Sequence, residues 1–387
     1  MHVSNTVKYI GVFDKDIDLF EGQYKVPNGI SYNSYLIIDE KITVMDSVER
    51  EFGEEWLNNI KNELGEKSPD YLVVQHMEPD HSANIVSFTN AYPNAKIVSS
   101  AKAFSMMKSF FGTDFVEKQV VIKDGDRLNL GSRELVFIGA PMVHWPEVVM
   151  TYDTLDKILF SADAFGKFGP TDLSDGWIDE ARRYYIGIVG KYGAQVQALL
   201  KKASQLDIQT ICSLHGPVLN ENLSYYLNYY NLWSTYTPEE DGILIAYTSI
   251  YKNTEKAVYT LADTLTAQGV KNVTVRDLAR CDMSEAVSIA FKYSKLVLAT
   301  TTYNADIFPF MREFINHLTE RNFSSRTVAF IENGSWAPMA AKIMKGMLLD
   351  SKNLTYLNTT VKIISALDDR SRTELNLLSE ELKSKNI

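Results

Sequence analysis

Four potential metal ligands lie within one six-residue stretch, His76-Met77-Glu78-Pro79-Asp80-His81. Imidazole and carboxylate groups at this spacing are typical of metal sites. The stretch follows the apolar run Tyr71-Leu72-Val73-Val74, which predicts a short buried strand rather than a helix. Ligands on a short loop at the end of a strand are held on a rigid platform, as a metal site requires. This stretch therefore predicts a metal centre that draws further ligands from elsewhere in the chain.

Three more candidate ligands also stand at the ends of predicted strands. They are His144 after the strand at 134–139, Asp163 after the strand at 157–162, and His215 after the strand at 208–214. A lone histidine is more often a packing residue, but a whole set placed this way favours one shared site. Imidazole with several carboxylates and no thiolate suits iron, manganese or zinc. Four histidines and three carboxylates are enough for two ions, each with two histidines and one terminal carboxylate, with Asp163 bridging.

The elements that must position these residues alternate between strands and helices. In the first half we predict a hairpin, a series of short strands and two longer helices, which together form two sheets flanked by helices, an α/β sandwich. The hairpin covers 33–39 and 42–46, the other strands cover 71–74, 96–100, 119–123, 134–139, 148–152, 157–162 and 208–214, and the helices cover 51–64 and 180–206.

The pattern changes near 235–241, where a proline beside three acids predicts a linker. We place the domain boundary between residues 238 and 239. Beyond it, five strands alternate with five helices, which predicts a doubly wound parallel sheet. The strands cover 242–247, 273–277, 295–300, 327–331 and 361–364, and the helices cover 254–268, 284–293, 308–320, 337–352 and 373–383.

In a sheet of this kind the ligand lies beyond the carboxyl ends of the strands. The loop after the first strand carries the hydroxyls of Thr248, Ser249 and Thr254 and opens a helix. Hydroxyl groups beside free backbone N–H groups at a helix start predict a phosphate-binding cradle.

Composition excludes several other classes of function. The net charge of -10 argues against nucleic acid or an anionic membrane as the main partner. The chain has no apolar run near membrane-spanning length and no signal-peptide pattern at its start, so we expect a cytoplasmic protein. There are two cysteines, Cys212 and Cys281, and no C-x-x-C pair, so we expect neither a disulfide framework nor a cysteine-ligated metal module.

The motif H-x-E-x-D-H, with a later histidine, aspartate and histidine, resembles the metallo-β-lactamase superfamily. In the zinc hydrolases of that superfamily the second ligand is usually histidine, whereas here it is Glu78. With this carboxylate the pattern is similar to the diiron site of the flavodiiron proteins. The resemblance implies that one iron takes His76, Glu78 and His144, that the other takes Asp80, His81 and His215, and that Asp163 bridges.

The resemblance extends over nearly the whole chain. Flavodiiron proteins have a metallo-β-lactamase-like αββα sandwich followed by a flavodoxin-like domain, and the predicted domains of this chain resemble them in the same order. It implies that three loops of the second half bind FMN, and that Tyr192 is a donor near the open positions of the irons and does not itself bind them. The implied FMN-binding residues are Thr248, Ser249, Tyr251, Lys252, Asn253 and Thr254 in the first loop, Thr301, Thr302, Tyr303, Asn304 and Ala305 in the second, and Asn333, Gly334, Ser335 and Trp336 in the third.

The function implied by this resemblance is an oxidoreductase that reduces O2 to water, NO to N2O, or both, and protects an anaerobe. Electrons would pass from an external donor, such as rubredoxin or a reduced deazaflavin, through FMN to the iron ions. The resemblance also implies a head-to-tail homodimer or a dimer of dimers.

Two other interpretations remain open at the level of sequence. One is a two-zinc hydrolase with a flavodoxin-like appendage, against which Glu78 argues. The other is an electron carrier or redox sensor that uses only the second domain, against which the full ligand set argues. Packing of Tyr303 and Trp336 in a domain without FMN is a third possibility for the second half, since a fold alone does not specify a ligand.

Overall fold

The computed structural model describes residues 3–174 and 176–384. The chain forms two compact units, which divide between Asn231 and Leu232. The boundary predicted after Pro238 lies slightly further along the chain, in the turn that precedes the first strand of the second unit.

The first unit is built on two main sheets. One sheet has the strand order β1-β6-β7-β8-β9-β10 and the other has the order β11-β12-β13-β14-β15. The strands are β1 Val7–Tyr9, β2 Val12–Asp14, β3 Leu19–Phe20, β4 Tyr24–Lys25, β5 Ile30–Tyr32, β6 Tyr35–Ile37, β7 Thr43–Met45, β8 Tyr71–Val73, β9 Lys96–Ser100, β10 Gln119–Ile122, β11 Arg127–Asn129, β12 Glu134–Gly139, β13 Val149–Asp153, β14 Ile158–Phe160 and β15 Thr210–Cys212. The helices are α1 Gly53–Leu64, α2 Pro79–Ser82, α3 Ile85–Ala91, α4 Ala101–Phe111, α5 Ile178–Tyr184, α6 Gly193–Ala203 and α7 Leu223–Ser234.

Apolar residues at strand and helix spacing explain how these layers pack. The predicted hairpin is confirmed as the antiparallel pair β6 and β7. Helix α1 buries Trp56, Ile60 and Leu64, which recur every four residues and therefore share one face. Strands β8 and β14 end on fully buried residues, so the loops that follow them start from the rigid interior of the unit.

The single long helix predicted over 180–206 is wrong in its middle. Helix α5 ends at Tyr184, a wide π turn covers Tyr185–Val189, and a 3-10 turn leads into α6. Gly187 and Gly190 in this stretch favour an α-helix less than other residues do. A side chain at Gly187 would place its Cβ 2.9 Å from the ring of Tyr24, so the close contact requires glycine there. The helical periodicity in the sequence did not reveal this interruption.

The second unit is a doubly wound sheet with the order β17-β16-β18-β20-β21, and its neighbouring strands are parallel. A short strand, β19, pairs antiparallel with the end of β18. The strands are β16 Glu240–Tyr247, β17 Val273–Asp277, β18 Tyr293–Tyr303, β19 Asp306–Ile307, β20 Thr327–Asn333 and β21 Thr355–Ile363. The helices are α8 Asn253–Ala267, α9 Met283–Lys292, α10 Pro309–Glu320, α11 Ala340–Met347 and α12 Asp369–Ser384. This is the strand order of flavodoxin-like sheets, whose ligand site lies where the order reverses, between β16 and β18.

The prediction for the second unit is confirmed in its strands and helices, with differences at element ends. Strand β21 begins at Thr355, earlier than predicted, and helix α11 is shorter than the predicted 337–352. No helix among the described residues is long and apolar enough to cross a membrane.

A buried ion-pair cluster joins Arg133, just before β12, to Asp153 in β13 and to Asp39 after β6. The Arg133 guanidinium donates to Asp153 at 2.6 Å and to Asp39 at 3.2 Å, and all three side chains are almost fully buried. We expect Arg133→Ala to destabilise the first unit by about 3–5 kcal/mol, because it leaves buried carboxylates without a cation. Urea unfolding followed by tryptophan fluorescence measures this change.

The matched control for that experiment is Arg127→Ala, which removes the exposed pair between Arg127 and Glu134 on neighbouring strands. An exposed pair contributes less than about 1 kcal/mol, so the unfolding midpoint should barely move. Equal losses in the two variants would contradict a structural role specific to the buried cluster.

Candidate functional site

The seven candidate ligands come from loops at the ends of strands in both sheets of the first unit. His76 and Glu78 follow β8, and the short helix α2 begins at Pro79 and carries Asp80 and His81. The other three follow later strands: His144 lies between β12 and β13, Asp163 follows β14, and His215 follows β15. The structure brings all seven together as two adjoining groups, one of His76, Glu78, His144 and Asp163 and one of Asp80, His81 and His215.

The first group converges through histidine Nε2 atoms and carboxylate oxygens. His144 Nε2 lies 3.1 Å from Glu78 Oε2 and 3.1 Å from Asp163 Oδ2. His76 Nε2 lies 3.3 Å from Glu78 Oε2 and 3.4 Å from Asp163 Oδ2. Two imidazoles and two carboxylates therefore enclose one point.

The second group is arranged in the same way. His81 Nε2 lies 3.0 Å from His215 Nε2 and 3.2 Å from Asp80 Oδ2. Asp163 turns its other oxygen, Oδ1, toward this group, at 3.4 Å from His81 Nε2 and 4.0 Å from His215 Nε2. Asp163 thus faces both groups, one oxygen to each, as a bridging carboxylate does.

These distances fit metal ions. Ligand atoms about 2.1 Å from one ion stand about 3.0–3.4 Å apart in tetrahedral or octahedral geometry. His81 and His215 point ring nitrogens at each other at 3.0 Å, an arrangement that a shared cation stabilises. Neither carboxylate oxygen of the buried Asp80 has a hydrogen-bond partner among the described residues, nor has Asp163 Oδ1. Buried oxygens without partners are costly unless a cation binds them.

The surrounding residues orient two of the histidines. His76 Nδ1 lies 2.8 Å from Glu147 Oε1, and the same oxygen accepts the amide N–H of Met77 at 2.8 Å. His215 Nδ1 donates to the carbonyl oxygen of Ser31 at 2.7 Å. In both rings the Nδ1 contact leaves Nε2 for the cluster, the arrangement by which histidine ligands are held in one tautomer. Glu147 was not predicted from the sequence, because its partner His76 is 71 residues away and an acid two residues before a strand gives no signal of that contact.

Gly216 allows the chain to turn directly after His215. Its φ of +79° is left-handed, and a Cβ there would lie 2.8 Å from the Lys167 side chain. The chain turns back at this point without a side chain, and Gly216 N donates to Ser31 Oγ at 2.7 Å.

The histidines and carboxylates of the cluster shift one another's pKa values toward their charged forms. Burial lowers the pKa of His81, but the carboxylates of Asp80 and Asp163 outweigh it and raise that pKa to about 10. Burial likewise opposes the rise at His144, where Asp163 and Glu78 raise the pKa to about 9. Burial raises the pKa of Asp163, yet the facing imidazoles hold it well below its usual value. The three acids therefore create a strong demand for positive charge at the centre of the cluster.

Tyr184, rather than Tyr192, is the tyrosine whose contact with the ligands is observed. Tyr184 is buried, and its ring centroid lies 5.4 Å from that of His215. Burial, with the charges of Asp163 and Asp80, raises the pKa of Tyr184 well above its usual value, so its O–H stays protonated. Tyr192 lies in the 3-10 turn Gly190–Tyr192 and is partly exposed. The role predicted for Tyr192 stays a prediction, and helical spacing could not distinguish these tyrosines across the π turn.

A second cavity, the loop cavity, opens at the carboxyl ends of β16, β18 and β20. Its volume is about 730 Å³, within the range of cofactor pockets. Trp336 is 83% exposed and Tyr251 is 86% exposed on it, so flat aromatic faces are open to a planar ring. Helix α8 starts in this cavity, and the residue before it, Lys252, provides no side-chain cap for its N–H groups. This combination fits a flavin ring with a phosphate at a helix N-terminus.

Most of the residues predicted to bind FMN line the loop cavity. The predicted residues that do so are Ser249, Tyr251, Asn253, Thr254, Thr301, Thr302, Tyr303, Asn304, Ala305, Asn333, Gly334, Ser335 and Trp336. Thr248 is instead fully buried, and its hydroxyl lies 2.6 Å from Thr300 Oγ1. Lys252 is not among the lining residues, and its φ of 65° is left-handed, a conformation that glycine adopts more readily than lysine. The lining also includes Ile250, Phe308, Ala337, Met339 and Ser365, which were not predicted.

Comparison with known proteins adds independent findings. Residues 30–216 match the family model described as ODP family beta lactamase. Over 380 residues the chain is 30% identical to the anaerobic nitric oxide reductase flavorubredoxin of Vibrio vulnificus (strain YJ016), covering 94% of this chain and 75% of that relative.

Solved structures share the fold of the whole chain. The rubredoxin:oxygen oxidoreductase from Desulfovibrio gigas matches with a TM-score of 0.90 at 24% identity, over 99% of this chain and 98% of that one. The flavodiiron protein from Giardia intestinalis matches with a TM-score of 0.86 at 25% identity, over 98% and 94% of the two chains. At these identities the structural matches support the fold.

Fold and site together define a metallo-β-lactamase-like domain with a candidate two-metal cluster, followed by a flavodoxin-like domain. The relative at 30% identity covers nearly the whole chain. The chain belongs to the flavodiiron protein family, whose members carry FMN and a diiron centre.

Glu147 gives a test of the cluster in which none of the candidate ligands is substituted, because Glu147 contacts His76 and belongs to neither metal group. We expect Glu147→Ala to weaken metal binding about 10–100-fold, because His76 loses the carboxylate that orients it. Glu147→Gln keeps an oxygen that can accept from His76 Nδ1 and Met77 N, so its loss should be smaller. Titration of the metal-free protein with Co²⁺, followed by absorbance, measures both. Unchanged affinity in Glu147→Ala would contradict the positioning role.

Proposed function

We propose that this protein reduces O2 to water, NO to N2O, or both, at a diiron centre supplied with electrons through FMN. The observation that carries the proposal is the convergence of the seven candidate ligands, with one oxygen of Asp163 facing each group. The names of two similar proteins, a nitric oxide reductase flavorubredoxin and a rubredoxin:oxygen oxidoreductase, support both gases as substrates. Protection of an anaerobic cell from these gases follows from that chemistry.

The iron pair would supply redox-active positions at which a small diatomic gas is reduced. In our assignment His76, Glu78 and His144 would hold one ion, Asp80, His81 and His215 would hold the other, and Asp163 would contribute one oxygen to each. Negative charge from the three acids stabilises oxidised iron more than a histidine in place of Glu78 would. This difference favours iron redox chemistry over zinc hydrolysis.

The residues around the cluster exclude water and include a protonated tyrosine. All the candidate ligands are buried except Glu78, which is partly exposed. The Trp145 ring packs edge-on against His76, with centroids 5.3 Å apart, and screens that ring from solvent. Tyr184 packs against the ring of His215, with centroids 5.4 Å apart, and its hydroxyl stays protonated as a hydrogen-bond donor beside the cluster.

We further propose that the loop cavity binds FMN, with Trp336, Tyr251 and Tyr303 against the ring and the start of α8 at the phosphate. The name of the similar rubredoxin:oxygen oxidoreductase supports an electron donor of the rubredoxin type, and a reduced deazaflavin is the alternative donor that we propose. The family resemblance supports a head-to-tail homodimer or dimer of dimers. Free cysteines at positions 212 and 281 agree with a reducing, cytoplasmic location.

Gas consumption tests the proposed activity. Protein loaded with iron and FMN is reduced anaerobically, and O2 and NO are added in separate runs on gas-sensitive electrodes. We expect consumption of at least one gas in proportion to the electrons supplied. Inertness to both gases, or zinc retained in purified protein together with ester hydrolysis, would contradict the proposal.

His144→Ala separates the metal centre from the flavin. The variant should lose iron and gas consumption, because His144 Nε2 faces both Glu78 and Asp163. It should keep its yellow flavin, since the loop cavity is unchanged. His317→Ala is the control, because His317 lies on α10 outside both metal groups. Iron analysis and the flavin spectrum are measured on each variant, and loss of flavin from His144→Ala would mean that the domain roles are misassigned.

Trp336→Ala makes the opposite separation. Loss of a stacking face should weaken FMN binding by about tenfold, corresponding to roughly 1.4 kcal/mol, while iron content stays unchanged. Tyr259→Ala is the control, since Tyr259 is a half-exposed aromatic residue of α8 that does not line the cavity. Quenching of FMN fluorescence measures the affinity. Equal affinity in the wild type and Trp336→Ala would contradict stacking at this position.

A further inference from the structure

One cavity of the first unit opens onto the metal cluster and is lined almost entirely by acids on its polar side. Its volume is about 540 Å³. We call it the acidic pocket, and its outer carboxylates are Asp14, Asp16, Glu21, Glu49 and Glu51. Glu78 and Asp80 line the same cavity and are candidate ligands of the two metal groups. No lysine, arginine or histidine of the described chain lines it.

The exposure of these acids decreases from the mouth of the pocket to its inner end. Asp16, Glu21 and Glu51 are exposed, whereas the side chain of Glu78 is 16% exposed and Asp80 is 6% exposed. A path along the pocket therefore runs from solvent-exposed carboxylates to candidate metal ligands. Asp80 marks its inner end, and neither of its carboxylate oxygens has a hydrogen-bond partner among the described residues.

The chemistry of the lining identifies what would travel along this path. O2 and NO are uncharged, so a series of carboxylates does nothing to attract them. A hydrated divalent cation is attracted by the ionised carboxylates, and a cleft lined by one sign of charge raises the local concentration of the opposite ion. Burial and the charge of Glu78 raise the pKa of Glu21 to about 7, as expected where negative charges are crowded together. Some of the outer acids are committed to local turns: Asp14 Oδ1 accepts the amide N–H groups of Asp16 and Ile17, both at 3.0 Å. A backbone contact of this kind fixes a carboxylate in place and leaves its negative charge.

We propose that the acidic pocket is the entry route for divalent iron, in which the outer carboxylates attract Fe²⁺ and pass it to Glu78 and Asp80. This inference rests on the proposed metal centre and adds a function for residues that do not bind the ions in their final positions. It predicts that the outer carboxylates control the rate of metal uptake and leave the final metal content unchanged.

The rate of Co²⁺ uptake tests the route. The full-length chain with its flavin is stripped of metal, mixed anaerobically with Co²⁺ in a stopped-flow instrument, and followed by absorbance at low and high salt. The pocket variant is Asp16→Asn, Glu49→Gln, Glu51→Gln. The control variant, Glu63→Gln, Glu66→Gln, Glu117→Gln, removes the same charge from exposed positions outside the pocket.

At low salt we expect uptake by the pocket variant to slow by about tenfold, with the control within about twofold of the wild type. High salt should slow the wild type and bring the three proteins together, because it screens exposed charges. All three should reach the same bound metal per chain.

Three results would overturn the route. They are equal rates for the pocket variant and the wild type, equal slowing in both variants, and a lower final metal content in the pocket variant, which would make the outer acids ligands. A wild-type chain that binds no Co²⁺ would instead contradict the proposed metal centre itself, so the two failures are distinguishable.

Discussion

The candidate metal site of the first unit is organised around one buried carboxylate, Asp163, which lies between two pairs of imidazoles. Its two oxygens face in different directions, one toward His76 and His144 and the other toward His81 and His215. A carboxylate in this position is stable only because positive charge meets it on both sides. The loops of two separate sheets have to meet at one point for this to happen, and the packing of those sheets is what holds them there.

The same constraint explains the residues around the ligands. Glu147 and the carbonyl of Ser31 hold imidazoles by Nδ1, so that Nε2 is free for the cluster. Gly216 lets the chain turn away directly after His215. The acidic pocket extends the negative charge of the buried cluster to the surface, where its carboxylates attract cations from solution. The second unit follows a different rule, in which parallel strands end together and leave backbone N–H groups and aromatic faces for a flavin.

Much of the candidate site could be predicted because strand ends are easy to locate from the sequence. Apolar runs predicted where β8, β12, β14 and β15 end, and the candidate ligands follow those ends directly. Tertiary partners were harder. Glu147 acts through a contact with His76 that spans 71 residues, and no local pattern encodes that contact. The π turn that follows Tyr184 was also missed, because Gly187 and Gly190 permit such a turn but do not by themselves reveal it. Thr248 carries a hydroxyl suited to phosphate, yet the last strand residues bury it against Thr300.

The central claim is that two iron ions share Asp163. Applied-field Mössbauer spectroscopy of protein reconstituted with ⁵⁷Fe tests it directly, because a shared ligand couples the spins of the two ions. We predict two irons per chain, present in equal amounts as two distinguishable sites, and antiferromagnetically coupled to a diamagnetic ground state in the oxidised protein. One iron per chain, or two irons that behave as magnetically isolated high-spin ions, would contradict the account.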